Sequence, residues 1–406
     1  MILQDLSVHT QHFTIHNLPY GIFSTAKKHK RAGLAIGNYI IDLSVLFEHS
    51  FFEDKIHSNV FNQDSLNDFI ALGKDIWSFA RKKIQDLLNE ESDFYKINHD
   101  KFLVLQSEAT MHLPVKIGDY TDFYSSEEHA SNVGKMFRPT MEPLLPNWKH
   151  MPIAYHGRSS SIITTNTPIK RPYGQILNGE KVVYSACQTL DIEIELGFII
   201  GKENALGTPV NINDAGDYIF GAVLLNDFSA RDIQRWEYQP LGPFLGKNFA
   251  TSISPWIVPY EVLNQFLTDA PTQTQTVLPY LQEQNRKNFD IEITFEIETK
   301  EKQKGIAAIT NSKYLYWTAA QQIAHHTVNG CNLRIGDLLG TGTISGKEKN
   351  SFGSLLELTW NGKEKIKIGN EERTFLQDGD TTILSAICKN GDKQIGFGEV
   401  RNTIIE

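Results

Sequence analysis

The sequence predicts a mainly β protein of the α+β class, and three observations point there. Short apolar runs separated by Gly, Pro and Asn dominate most of the chain. One stretch, Asp64 to Leu88, instead repeats its apolar residues mostly at spacings of three and four. Beyond residue 114 the apolar runs have strand length and alternate with turn signals.

Phe13 to Leu46 reads as a small β-unit, because Asn17-Leu-Pro-Tyr-Gly21, Arg31-Ala-Gly33 and Ile36-Gly-Asn38 interrupt it at short intervals. In the helical stretch, Leu66, Phe69, Ile70, Leu72, Ile76, Phe79, Ala80, Ile84 and Leu87 share a stripe. The pattern breaks at Met111-His-Leu-Pro114, which predicts a small domain over 1–115 and a larger β-rich domain over 116–406. Strand-like runs follow at Ile192–Ile200, Ile219–Leu225, Ile291–Ile297, Leu355–Leu358 and Thr382–Ile387. Gln265 to Gln284, rich in Gln, Thr and Pro, reads as an irregular surface excursion.

The 406 residues are 40% hydrophobic and 21% charged, enough for sizeable cores and against intrinsic disorder. Net charge is −9 without a long Lys/Arg run, which argues against a nucleic-acid binder, since that class needs a basic footprint. No apolar run approaches the roughly 20 residues that cross a bilayer. Met1-Ile-Leu-Gln-Asp-Leu-Ser7 lacks the parts of a secretory signal. Cys187, Cys331 and Cys388 are far apart and odd in number, so no disulfide framework is indicated. A soluble cytoplasmic protein is the expectation.

Three stretches carry candidate chemistry. In Asp122-Phe-Tyr-Ser125-Ser-Glu-Glu128-His129, Ser125 and Glu128 have capping-box spacing, and Ala130, Val133, Gly134 and Phe137 then line a helical face. His129 falls in the first turn, where the helix dipole favours a neutral imidazole while Glu127 and Glu128 oppose it. A surface histidine on a capped helix is the plain alternative. In Leu190-Asp191-Ile-Glu193-Ile-Glu195, alternation puts three carboxylates on one strand face, about 6.5 Å apart at the backbone, within reach of one ion. Asp290-Ile-Glu-Ile-Thr-Phe-Glu-Ile-Glu298 alternates in the same way, and a solvated face explains it fully. Alternation alone does not separate the two cases.

The third stretch runs from Leu224 to Thr251. An apolar strand ends at Asp227, Ser229 with Asp232 resembles a cap, and Arg231, Gln234 and Tyr238 share a helical face that Pro240-Leu-Gly-Pro243 stops. Loops at strand ends are common places for sites, although a surface ion pair would also account for Arg231. Gly340-Thr-Gly-Thr343 lacks the third Gly or the Gly-Lys-Ser/Thr ending of a phosphate loop. His325-His326 reads as packing, since adjacent residues do not face one ligand.

Taken in order, these stretches resemble the fumarylacetoacetate hydrolase family. Phe13-Thr-Ile-His-Asn-Leu-Pro-Tyr-Gly21, Leu145-Pro-Asn-Trp148, Tyr155-His-Gly-Arg-Ser-Ser160, Arg171-Pro-Tyr-Gly-Gln175, Gly340-Thr-Gly-Thr343 and Leu356-Glu-Leu-Thr-Trp360 extend the likeness over nearly the whole chain. The resemblance implies a small Src-homology-3-like barrel at the amino end, a large mixed β-roll and a homodimer. It implies hydrolysis of the carbon–carbon bond of a β-diketo acid, fumarylacetoacetate, to fumarate and acetoacetate in tyrosine breakdown. It also implies Ca²⁺ or Mg²⁺ held by Asp122, Glu193, Glu195 and Asp227, with a structural cation or charge site near Asp227, Lys247 and Thr251. His129 would be the base, oriented by Glu357. Arg231, Gln234 and Lys247 would face developing charge, while Tyr124, Arg138, Tyr155, Gln234, Tyr238 and Thr343 would hold substrate. An all-oxygen ligand set suits a hard cation. Phe228, Ala250 and Glu127-Glu128 depart from the family pattern without removing a ligand or the base. An acylpyruvate hydrolase or oxaloacetate decarboxylase would keep the site and change the substrate, whereas a non-catalytic carboxylate- or calcium-binding protein would not need His129 with Glu357.

Overall fold

The computed structural model describes residues 12–89 and 93–406. Met1 to Ser7, read above for a secretory signal, lie outside them. The amino-terminal strands form an antiparallel meander: Tyr20–Ser24 against Arg31–Ile36, then Tyr39–Asp42, then Leu103–Leu105. Gly37 (φ +54°) and Asn38 make a two-residue hairpin loop of the kind that needs a left-handed residue. Asp42 ends the meander's third strand and caps the helix Leu43–Glu48, accepting from Val45 N at 3.2 Å.

The helical stretch resolves into Asn67–Ile70 and Lys74–Asn89, separated by Gly73 at φ +87°. Trp77, Ala80, Ile84, Leu87 and Leu88 bury the long helix against the meander.

The meander forms no closed barrel among the described residues. It runs into a 13-stranded sheet through Tyr20–Ser24 paired with Trp256–Pro259. The sheet continues through Ile219–Asp227, Ile194–Ile200, Leu338–Gly340, Tyr120–Phe123 and Ala154–Gly157. A five-stranded sheet holds Lys304–Asn311, Glu292–Glu298, Thr381–Asn390, Lys393–Ile405 and Ile169–Lys170.

The central strands separate two cores. Leu196, Phe198, Ala222 and Leu224 pack with Ile293, Phe295, Leu384 and Val400 of the five-stranded sheet. Ile199, Val223 and Leu225 face the other way, into the core with Trp77 and Ile84. Burial on both faces explains why these strands read as continuous apolar runs. The architecture is thus strand-rich α+β, as expected.

Two local readings differ. Leu355–Leu358 is a short helix instead of a strand, because Ser354 accepts from Glu357 N at 3.3 Å and the Asp191 carboxylate accepts from Leu355 N and Leu356 N at 2.7 and 3.0 Å. A four-residue apolar run does not distinguish the two. The 265–284 excursion is irregular, with one short strand and two 3₁₀ turns, yet Val277 and Leu281 are buried with Trp148, Tyr316 and Trp317. No described helix is long and apolar enough to cross a membrane.

Candidate active site

Sheet order brings four acidic residues together. Asp227 ends the strand Ile219–Asp227, and Glu195 lies on its neighbour Ile194–Ile200, just after Glu193. Leu338–Gly340 pairs next, and Gly340 stands opposite both Gly197 and Asp122. One oxygen from each of Asp122, Glu193, Glu195 and Asp227 lies within 4.8 Å of the others, and all four residues are buried. Gly340 makes this approach possible: a Cβ there would sit 2.7 Å from Asp122 Oδ1 and 3.0 Å from Glu195 Oε2. Gly342, at φ +76°, turns its N–H onto Glu195 Oε2 at 3.0 Å.

These carboxylates are unequally compensated. Burial lifts Glu193, but Lys247 and Arg231 outweigh it and hold the carboxyl below its ordinary range. Lys247 Nζ donates to Glu193 Oε2 at 2.6 Å and Asp227 Oδ2 at 2.7 Å. Arg231 spans Glu193 Oε1 and Asp191 Oδ2, each at 2.8 Å. Asp227 also accepts from Thr251 Oγ1 at 3.0 Å and Tyr155 Oη at 2.9 Å.

Asp122 and Glu195 are pushed well above their ordinary values, first by burial and then by neighbouring carboxylates. Their Oδ1 and Oε1 atoms are buried without a hydrogen-bond partner among the described residues. Buried uncompensated carboxylates are costly. A hard cation accepting these oxygens would remove that cost, so the donor set fits Ca²⁺ or Mg²⁺ chemistry.

Beside the cluster lies the helix Glu127–Phe137. Its cap is Ser126, not Ser125, and Ser126 Oγ accepts from His129 N at 3.3 Å. Ser125 is drawn inward instead, with Oγ accepting from Gln322 Nε2 at 2.9 Å. Phe137, the last residue of the apolar face that starts at Ala130, is exposed. Glu127 pairs with Lys149 at 2.6 Å, which offsets part of the acidic pair beside His129.

His129 Nδ1 lies 2.7 Å from Glu357 Oε2, and the Tyr124 ring meets the imidazole edge-on at 5.3 Å. Burial would raise Glu357, but His129 and the hydroxyl and amide donors hold it below its usual range. Glu357 is therefore an acceptor, which assigns the proton to Nδ1 and leaves Nε2 as the basic nitrogen. The imidazole lies within electrostatic reach of Glu193.

The remaining candidates are distributed unevenly. Arg231 Nη1 donates to Gln234 Oε1 at 3.2 Å. Thr343 is buried, and its Oγ1 has no hydrogen-bond partner among the described residues. The side chains of Arg138 and Tyr238 make no hydrogen bond to the other site residues: Arg138 reaches Pro143 O at 3.0 Å, and Tyr238 Oη accepts from Gln239 at 3.2 Å. The helix Arg231–Glu237 begins after Ala230 without the side-chain cap expected of Ser229, whose Oγ donates back to Asp227 O at 3.1 Å. Asp191 does not continue the row of Glu193 and Glu195, because the strand breaks at Ile192–Glu193. His325 and His326 bond Tyr280 Oη at 3.0 Å and Thr121 Oγ1 at 2.9 Å, the packing role expected of them.

Sequence reading missed several contributors: Gly340, Gly342, Asn132, Ser345 and Ser354. Asn132 stands one helical turn after His129, and Ser354 stands three before Glu357, so spacing could have found those two. Ser345 carried no local signal.

Comparison with known proteins agrees along the chain. The fumarylacetoacetase N-terminal model matches residues 16–114, and the fumarylacetoacetate (FAA) hydrolase C-terminal model matches 119–405. A fumarylacetoacetase of Dictyostelium discoideum is 52% identical over 97% of this chain and 95% of its own. The Homo sapiens fumarylacetoacetase is 48% identical over 97% and 96%. Among solved structures, a fumarylacetoacetate hydrolase from psychrophilic Exiguobacterium antarcticum aligns over 96% of this chain and 99% of its own with TM-score 0.57. Its 16% identity speaks for the fold alone. The chain belongs to the fumarylacetoacetate hydrolase family.

Proposed function

We infer that the chain hydrolyses a carbon–carbon bond of fumarylacetoacetate, releasing fumarate and acetoacetate, the last step of tyrosine and phenylalanine breakdown. One observation carries the reading. A carboxylate-backed imidazole stands beside a buried acidic cluster, on a chain about half identical to fumarylacetoacetases over 97% of its length.

Asp122, Glu193, Glu195 and Asp227 would hold Ca²⁺ or Mg²⁺. When bound, the cation supplies electrostatic stabilisation to oxygens that gain negative charge. His129 Nε2 removes a proton from water as its oxygen attacks the substrate carbonyl, while Glu357 stabilises the imidazolium. The tetrahedral adduct collapses, the carbon–carbon bond breaks, and its electron pair leaves as an enolate. Arg231, Gln234 and Lys247 face that developing charge, and a proton returned to carbon completes acetoacetate. Tyr124, Arg138, Tyr155, Tyr238 and Thr343 orient the substrate. At the charge site near Asp227 and Thr251, the Lys247 ammonium itself supplies the positive charge.

The same reading includes a homodimer, a cytoplasmic location and a division into 1–115 and 116–406. The division is supported by family models meeting between residues 114 and 119. A Src-homology-3-like arrangement of the amino-terminal strands, left open, belongs to it too, supported by a short-stranded meander buried on both faces.

The test is turnover of fumarylacetoacetate, followed by loss of its absorbance, with added Mg²⁺ or Ca²⁺ and with chelator. Wild type is expected to turn over only with the cation, and His129→Ala not at all. Turnover by His129→Ala would remove the base assignment, and binding without turnover by wild type would remove the enzyme.

A further inference from the structure

Glu357 is fully buried and, among the described residues, has no cationic Lys or Arg as a hydrogen-bond partner. Neutral donors surround it instead. Asn132 Nδ2 donates to Oε1 at 3.0 Å, and Ser354 Oγ donates to Oε2 at 2.9 Å. Ser345 Oγ lies 3.0 and 2.9 Å from the two oxygens and accepts from Gly353 N at 2.9 Å. Ser345 thus reaches the acceptor of the imidazole directly.

Its backbone reaches the other end of the same residue. Ser345 N donates to Ser126 Oγ at 3.3 Å, and Ser126 Oγ returns a bond to Ser345 O at 3.2 Å. Ser126 Oγ also accepts from His129 N. His129 is therefore held at its backbone and its ring by groups that both end on Ser345. The chain leading to Ser345 is itself anchored on the acidic cluster. Gly342 N donates to Glu195, and the backbone N–H groups of Thr341 and Ile344 donate to the carbonyls of Leu196 and Ile194 at 2.9 and 2.8 Å.

We propose that the segment Thr341–Ser345 sets the spacing between the acidic cluster and the imidazole, with Ser345 as the positioning residue that fixes the orientation of Glu357 and hence of His129 Nε2. This rests on the hydrolase reading for its kinetic consequence, while its geometric consequence stands apart. Without the Ser345 hydroxyl, Glu357 keeps its charge through Asn132 and Ser354 but loses the donor that touches both oxygens. The carboxylate can then rotate, and the Nδ1–H bond it accepts is no longer held in line. Positioning errors of this kind act on kcat, because the base must meet a particular water.

The experiment uses the full chain with Mg²⁺ and reads two quantities. One is the split between kcat and KM for fumarylacetoacetate. The other is the downfield ¹H NMR resonance of the His129 Nδ1 proton, identified by its disappearance in His129→Gln. Ser345→Ala is expected to lower kcat roughly tenfold or more with KM within about twofold, as for lost partners of orienting side chains elsewhere. It is also expected to shift or broaden the Nδ1 resonance. Asn132→Ala, which removes a donor to Oε1 alone, moves both readouts the same way by less, and covers the case in which Ser345→Ala fails to fold. Wild-type kcat with an unmoved resonance in a folded Ser345→Ala overturns the proposal. So does a lowered melting temperature with neither readout moved, which would make Ser345 merely structural. Absence of turnover in wild type would refute the hydrolase reading, and the resonance would still decide the geometry.

Discussion

Two stretches of this molecule carry almost the same alternation of Ile and Glu, with different results. On Glu292–Glu298, Ile293, Phe295 and Ile297 are buried while Glu292, Glu296 and Glu298 reach solvent, where Glu298 pairs with Arg401 and Lys302. Around Glu193 and Glu195 the polar residues are buried as deeply as the apolar ones. The second strand lies in mid-sheet beside the segment 338–345, while the polar face of the first is uncovered. Alternation therefore states which residues share a face. Whether that face is wet or becomes a site depends on what covers it.

That contrast can be broken most severely at Glu195. Glu195→Gln keeps shape and removes an oxygen charge from the cluster, so kcat/KM should fall by at least about 10²-fold. Calorimetric titration should show weakened Mg²⁺ or Ca²⁺ binding. Unchanged cation affinity would return the strand to the ordinary class.

A smaller loss is expected from Gly340→Ala, whose methyl would crowd Asp122 and Glu195. Cation affinity should fall roughly tenfold or more while the fold persists, measured by titration and circular dichroism. An unaffected affinity would mean that the carboxylates do not need that gap.

Stability in chelator sharpens the comparison further. Glu195 and Asp122 are raised first by burial and then by neighbouring carboxylates, Asp227 and Glu193 acting on both. A group with a raised folded value binds its proton more tightly when folded. Its contribution is complete below the unfolded value, about 4, and is lost as pH rises through the folded one. Metal-free wild type should therefore lose stability relative to Glu195→Gln as pH rises above that range. Excess cation should reverse the order. A pH-independent difference in melting temperature would contradict the assigned repulsion.

The smallest effect belongs to the exposed strand. Glu296→Gln should change stability by no more than about 0.5 kcal/mol and leave kcat and KM unaltered, checked by denaturant unfolding and steady-state kinetics. A large loss there would show that the solvated face has a role.

Much of the site was legible, through two different routes. Strand ends at Asp227, the helical turn at His129 and the Glu193–Glu195 alternation are local features and could be read directly. The grouping of Asp122 with them, and of Glu357 with His129, came from family resemblance, since no spacing connects them. Gly340-Thr-Gly-Thr343 lacks the marks of a phosphate loop, and its glycines serve the acidic cluster by leaving room and an N–H. Leu355–Leu358 was misread because a serine cap and the distant Asp191 decide its conformation. The capping signals at Ser125 and Ser229 failed for a related reason. Tertiary hydrogen bonds claimed Ser125, and Ser229 turned back to the Asp227 carbonyl.

By itself the sequence determined the α+β class, the apolar runs that become central strands and the helical period of the amino-terminal half. Tertiary structure alone decided which carboxylates share one buried volume and which histidine gains a carboxylate partner. Side-chain periodicity is a property of neighbours, whereas the charge state of a buried acid depends on groups remote in sequence. His129 and Glu357 are 228 positions apart, and Glu195 and Gly342 are 147.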